Sequence, residues 1–228
     1  MKRFITERLV AWKNSERRKP LIVRGARQVG KTWSVLDFGR SHFEGAVHVV
    51  DLEQHADWHR IFLGDLVASR VLSELEILLD TRIVPGQDLL FLDEIQSCPR
   101  AIMMLRYFYE ECPDLHVIAA GSLFEFAMKD ISFPVGRVQF FNMLPMSFSE
   151  FLQNTGRSVA ADLIVSKPGR QPDSIHQMLL DEVRRYMFIG GMPECVLAYA
   201  CSGRVRDAFE VQAEVVNAYR CGGWCAEH

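Results

Sequence analysis

The sequence predicts an α/β fold: a mainly parallel sheet between helices, with a helical appendage in the C-terminal third. Three observations carry this. Apolar runs recur at Leu21 to Val23, Ala46 to Val50, Leu89 to Leu92 and Val117 to Ala120, with a weaker one at Val138 to Phe141. Strands buried on both faces of a parallel sheet need such unbroken apolar character. Amphipathic helical patterns at Thr32 to Phe38, Leu66 to Leu79, Ala101 to Glu111 and Leu123 to Met128 separate the runs, so the units read as βαβ. After Phe141 the strand-like runs stop and helical signals take over.

The chain has 228 residues, about one and a half times the usual length of a domain near 150 residues. Apolar residues make up 49% and charged residues 24%, enough to bury a core and far from disordered or fibrous composition. Residues 1–40 hold eleven Lys and Arg against three Asp and Glu, +8 locally within a net charge of −3. A basic start fits an anionic partner or a solvated face. Lys2, Arg3, Glu7 and Arg8 interrupt any leader-like apolar stretch, and no run approaches a membrane span. These features predict a cytoplasmic protein with no membrane contact. Six single cysteines without a C-x-x-C pair read as small hydrophobes in a reducing compartment.

Taken in order, residues 1–19 read as a helix with Phe4, Leu9, Val10 and Trp12 on one face, closing in Arg17, Arg18 and Lys19 before Pro20. Ser147 and Glu150 are spaced as a capping box that opens a short helix. Residues 156–173, with Gly156, Lys167, Pro168, Gly169 and Pro172, read as a linker. Ser174 and Gln177 form a second box, for a helix through Phe188 that stops at Gly190 and Gly191. Pro193 suits the first turn of another helix, and Val205 to Arg220 is a last amphipathic one with Val205, Phe209 and Val216 on its apolar face. The expected organisation is therefore 1–155 as the α/β domain, 156–173 as linker, 174–220 as helical appendage and 221–228 as tail.

Gly25, Ala26, Arg27, Gln28, Val29, Gly30, Lys31 and Thr32 spell an uninterrupted G-x-x-x-x-G-K-[ST] between a predicted strand and a predicted helix. Glycines let the backbone turn its N–H groups onto phosphate oxygens, and the helix that follows adds its positive end. Lys31 supplies a point charge for the β- and γ-phosphates, and the Thr32 hydroxyl can ligate Mg²⁺. The run Leu89 to Leu92 delivers Asp93 and Glu94 at its carboxyl end, where α/β sheets place their ligands. Asp93 is placed to hold Mg²⁺, and Glu94 to orient or deprotonate an attacking water. A carboxylate beside the metal ligand suits hydrolysis, and no [NT]-K-x-D guanine-reading sequence occurs, so ATP is favoured over GTP. Arg24 and Arg27 flank the loop; Glu53, after the second strand, is a candidate for a place near the catalytic water, although as a lone carboxylate it reads first as solvated or paired.

The segment from Arg18 to Thr32, Asp51 to Glu53, Asp93 to Gln96, Gly121 and Ser122, Gly136 and Arg137, and Phe188 to Glu194 together resemble an AAA+-like family of prokaryotic ATP-binding proteins. In that family a P-loop NTPase module precedes a C-terminal nuclease-like domain of uncertain role. The resemblance runs from about Phe4 to Tyr219. It implies a three-layer α/β/α core with a five-stranded sheet and the phosphate-loop strand central. It further implies that Ser122 is a polar sensor near the γ-phosphate, although Ser122 and Glu125 are also spaced as a local cap. Arg137 is implied as an arginine finger reaching the nucleotide of a neighbouring subunit, and hence a homo-oligomer; a strand-edge surface pair is the other reading. The turn from Gly190 to Glu194 is expected to order helix packing. After Arg220 the sequence departs from the family's pattern, as a truncated product would. Cys221, Cys225 and His228 lack the loop spacing and the fourth ligand of a zinc site.

The functional expectation is a slow Mg-dependent ATPase whose nucleotide state moves the helical appendage. The alternatives are a nucleotide-gated module that binds DNA or a protein with negligible turnover, and a small-molecule phosphotransferase, for which no acceptor pocket can be identified.

Overall fold

The computed structural model describes residues 1–122, 134, 136–166 and 169–224, the last four by backbone alone. Two compact units result: Ile5–Met143, and Met1–Phe4 with Leu144–His228.

The first unit is built on five strands, β1 (Leu21–Arg24), β2 (Val47–Asp51), β3 (Leu89–Asp93), β4 (His116–Gly121) and β5 (Gln139–Asn142). They lie in the order β2-β3-β4-β1-β5 and every pairing is parallel. Among the described residues the interleaved helices are α1 (Ile5–Lys13), α2 (Lys31–His42), α3 (Ala68–Leu79) and α4 (Pro99–Glu111). All five predicted runs became strands. β3 and β4 are buried along their whole lengths, as their unbroken apolar character required. Phe62, Phe108, Leu75 and Leu90 are fully buried in the main core, each stabilising by about 1.5–3 kcal/mol on transfer from water. β1 is interior, between β4 and β5, but β4 and not β1 is the middle strand.

The register determines where the strands end. Asp51 pairs with Asp93, Leu92 with Ala119, and Arg24 with both Gly121 and Asn142. Their carboxyl ends therefore lie at one edge of the sheet and nearly level.

The second unit holds α5 (Phe148–Asn154), α6 (Ser158–Ser166), α7 (Asp173–Ile189), α8 (Pro193–Ser202) and α9 (Val205–Trp224) around Phe151, Leu152, Cys195, Val196 and Ala208. The Ser147 box forms as expected: Ser147 Oγ accepts from the Glu150 N–H, and Glu150 Oε2 accepts from the Ser147 N–H. Glu150 Oε1 also accepts from Arg3 Nε at 3.0 Å and from the Phe4 N–H at 2.8 Å. Burial pushes this carboxyl up, but the N–H groups of Ser147 and Phe4, with the Arg3 guanidinium, outweigh it and hold it below the ordinary range. Pro193 opens α8 as expected.

Four local expectations need correction. The first helix ends at Lys13 and not near Lys19, because the chain turns back toward β1; the turn is held by the Trp12 indole N–H donating to Lys19 O at 2.8 Å. Phe4 precedes that helix, whose buried face is Ile5, Leu9 and Trp12. The stretch expected as a linker contains α6, since Ala160, Ala161 and Ile164 join the second core and the helix breakers lie only at its flanks. The Ser174 box does not form: α7 starts at Asp173 with Pro172 at its N-cap, which places Ser174 inside the first turn. α9 runs past Arg220 to Trp224, and its Phe209 and Val216 are exposed while Ala208 and Val215 are buried. The predicted helix at 123–128, the cap partner Glu125, and Cys225 to His228 lie outside the described residues.

His116 generates a pH prediction. Buried edge-on to Phe43 (4.9 Å between centroids) and Trp12 (6.0 Å), it has no hydrogen-bond partner for Nδ1 among the described residues. Burial, with Arg18 and Lys13 nearby, lowers its pKa to about 4. The unfolded chain takes up this proton near 6.5, so the contribution is complete above about pH 6.5. It is lost as pH falls toward 4, by up to about 3 kcal/mol. His116→Phe, which keeps the ring, is expected to lose less melting temperature than wild type between about pH 7 and pH 5. Equal losses in thermal denaturation would contradict this.

Candidate functional site

The loop from β1 into α2 is shaped by three backbone demands. Gly25 is pressed against the β5 end: a Cβ there would stand 2.2 Å from Met143 O, and the Met143 N–H donates to Arg24 O at 2.8 Å. Gln28 (φ 62°) and Gly30 (φ 87°) take left-handed backbone, which turns the chain twice within three residues. α2 then starts from Gly30 with no capping side chain, leaving an N-terminus of the kind that receives anions.

Lys31 is buried, and its Nζ donates to Gly25 O at 3.0 Å and Ala26 O at 2.9 Å. The ammonium is thus folded into its own loop. Burial lowers its pKa, Glu94 and Asp93 oppose that change, and Arg27 adds to it. Thr32 Oγ1 donates to Asp93 Oδ2 at 2.7 Å. Asp93, buried at the end of β3, is raised chiefly by burial and also by the charges of Glu94 and Asp51, against the Thr32 hydroxyl and the Glu94 N–H. A hydroxyl and a carboxylate in contact are hard oxygen donors that suit Mg²⁺. Lys31 beside them suits a phosphate, so these residues fit a metal–nucleotide pair.

Glu94 follows in left-handed backbone (φ 47°) and its Oε2 accepts from Gln96 Nε2 at 2.5 Å. Ser122 sits just beyond β4 with a buried Oγ that finds no partner among the described residues. Of the expected residues, the structure brings together the loop 25–32, Asp93, Glu94 and the β4 end that leads to Ser122. Arg137 is elsewhere. It precedes β5, whose first residue Gln139 pairs with Leu21 at the start of β1, and the four residues of β1 separate it from the loop by roughly 13 Å. There it is exposed and pairs with Glu110 at 2.8 Å.

Arg24 turns away from the loop, bonding Asn142 Oδ1 and lying 5.0 Å over the Phe140 ring. Exposed Glu53 pairs with Arg27 at 3.9 Å. Two residues of the quoted motifs make contacts that the sequence does not show. Asp51 Oδ1 accepts from the N–H groups of Glu53 and Gln54 while its charge acts on Asp93, and Gln96 holds Glu94. The motif Asp93 to Gln96 was visible, but not the backward turn that makes its last residue touch its second.

A parallel α/β sheet with a glycine-cornered loop running into an uncapped helix, beside an acidic strand end, defines a P-loop α/β protein. The chain belongs to the AAA domain family, whose sequence profile matches residues 17–152. Structures similar to it include PCH-2 from C. elegans (13% identity, 93% of this chain and 61% of that one, TM-score 0.44). A RuvB variant from Thermotoga maritima (17% identity, 90% and 60%, TM-score 0.48) and ORC1 from Aeropyrum pernix in complex with DNA (12% identity, 81% and 65%, TM-score 0.41) are also similar. The chain spans less than two thirds of the length of each. No curated protein matches it. Among the described residues no helix is long and apolar enough to cross a membrane, and no group of three or more His, Cys, Asp or Glu is placed to hold a metal.

Gly25→Ala tests the loop geometry. A methyl group against the Met143 carbonyl forces backbone movement, so the variant is expected to lose about 1–3 kcal/mol of stability. Chemical denaturation should show a lower midpoint with an unchanged slope; an unchanged midpoint would mean that the loop and the β5 end are not in contact.

Proposed function

We propose that this chain binds Mg·ATP at the loop 25–32 and hydrolyses it, and that its nucleotide state moves the helical unit. The observation that carries the reading is the Thr32 to Asp93 hydrogen bond at 2.7 Å beside the buried Lys31. Two oxygen donors and one cation there match the charges of a metal-bound phosphate. The backbone of residues 25–30 and the free start of α2 would cradle the phosphates. Lys31 would exchange its two loop carbonyls for phosphate oxygens. Thr32 and Asp93 would hold Mg²⁺, which when bound neutralises phosphate charge. Glu94 would take a proton from water, and Ser122, with a hydroxyl lacking any described partner, would report on the γ-phosphate.

Arg137 serves best in trans. Its place at the opposite edge of the sheet from its own phosphate loop leaves it free for the nucleotide of a second copy, with Glu110 holding it meanwhile. A homo-oligomer follows from that role.

Lys31→Ala is expected to weaken binding of a fluorescent ATP analogue by about 10- to 100-fold, the worth of a charged hydrogen bond; wild-type affinity would refute the loop assignment. Glu94→Gln should bind normally and slow phosphate release by about 10² to 10⁴, the range of general-base catalysis. Tight binding by the wild type with no phosphate release would favour the nucleotide-gated binding module instead. Salt-dependent affinity for duplex DNA would then test the basic N-terminal region as its contact.

Arg137→Ala should leave ATP affinity at high dilution unchanged and abolish any rise of specific activity with protein concentration, an effect of about 10³ to 10⁵ for an engaged finger. Loss of affinity at high dilution would show instead that Arg137 serves its own subunit.

A further inference from the structure

Gln96 has no part in the mechanism above, yet it is placed between Glu94 and the end of β4. It lies on the 3₁₀ turn Ile95–Ser97, entered through the left-handed backbone of Glu94 (φ 47°, ψ 46°). A non-glycine residue holds such backbone only where its surroundings impose it. Here the turn folds the Gln96 carboxamide back until Nε2 meets Glu94 Oε2 at 2.5 Å. A carboxylate only accepts hydrogen bonds, so this contact fixes which end of the amide faces Glu94. The carbonyl end must then face β4. A Cβ built on Gly121 would stand 2.5 Å from Gln96 Oε1, so the absence of a side chain at Gly121 makes room for it.

Two buried polar atoms have no hydrogen-bond partner among the described residues: Gln96 Oε1, which lies against Gly121, and Ser122 Oγ, on the next residue of the chain. The position of the carbonyl end is set by the opposite end of the amide, which is held by Glu94. Gln96 has one amide bonded to the carboxylate and one carbonyl lodged against the strand end that carries Ser122. A glutamate side chain has three free torsions; one hydrogen bond anchored to a rigid strand removes most of that freedom and leaves Glu94 Oε1 for water.

We propose that Gln96 is a positioning residue for Glu94, holding the carboxylate in its working orientation by bracing against Gly121 at the end of β4. This rests on the reading of Glu94 as the base for water. Gln96 touches neither water nor phosphate in that scheme; it acts through Glu94.

The test combines a contact measurement with kinetics. In the nucleotide-free wild-type chain carrying ¹⁵N glutamine, the Gln96 side-chain amide should move upfield on Glu94→Ala, and also on Gly121→Ala, which displaces the carboxamide tip without altering Glu94. Gln96→Leu and Gly121→Ala should each lower kcat by about 10- to 100-fold, the usual effect of removing a partner that orients a catalytic ligand. The Kd for a fluorescent ATP analogue should stay within about twofold of wild type, since a residue acting only on the chemical step leaves binding alone. In the Glu94→Gln background the same changes should alter the residual single-turnover rate by less than about twofold, because residues that act as a unit are not additive. Wild-type kcat in both variants overturns the proposal, as does an equal further loss in the Glu94→Gln background. Should Gln96→Leu fail to fold, Gly121→Ala decides by itself. Normal turnover in Glu94→Gln alone refutes the base reading instead, a result distinguishable from failure of the Gln96 contact because the amide shift is read without nucleotide.

Discussion

Thr32 reaches Asp93 across a gap that β4 fills in the sheet, since β1 and β3 are not neighbours. The hydrogen bond exists only because β3, β4 and β1 run parallel and end nearly level, so that a helix rising from the end of β1 starts beside the end of β3. A slip of two residues along β4 would move Asp93 by about 6.6 Å, beyond a hydroxyl's reach. A slip of one would turn the carboxylate to the other face. Loop shape, the buried ammonium and the acidic strand end all depend on that register.

The same constraint governs the electrostatics. Lys31 and Asp93 both depart from their ordinary pKa values in the direction that favours their uncharged forms, as charges drawn out of water do. Each is partly compensated from within: Lys31 by two loop carbonyls, Asp93 by the Thr32 hydroxyl and the Glu94 N–H. A ligand bringing a cation and an anion together satisfies both at once. Such a site costs stability when alone and regains it on binding.

The helical unit is organised by a different polar centre. Glu150, buried, accepts from the N–H of Ser147, the N–H of Phe4 and the Arg3 guanidinium, while Arg3 Nη2 donates to Leu144 O. This centre ties the first four residues of the chain into the unit formed by its last third. Buried ion pairs add little net stability compared with an apolar core, but losing one partner is costly, so the centre specifies which segments belong together.

The sequence by itself determined the strands, the phosphate loop and the acidic pair at the end of β3, because each is encoded within a few neighbouring residues: an unbroken apolar run, a glycine spacing, a carboxylate after a strand. The Ser147 box was legible for the same reason, being complete within four residues. The helix Ser158–Ser166 was not, since its apolar residues gain their burial from distant partners and the glycines and prolines around it speak only for its ends. Strand order was out of reach as well: which strands become neighbours depends on crossover paths, and no local signal put β4 in the middle. Tertiary structure alone decided that Arg137 lies at the far edge from its own phosphate loop, that Met143 closes against Gly25, and that Gln96 turns back onto Glu94. These are contacts between groups separated along the chain, or folded back by a left-handed residue, and their free energy depends on packing that no short window of sequence contains.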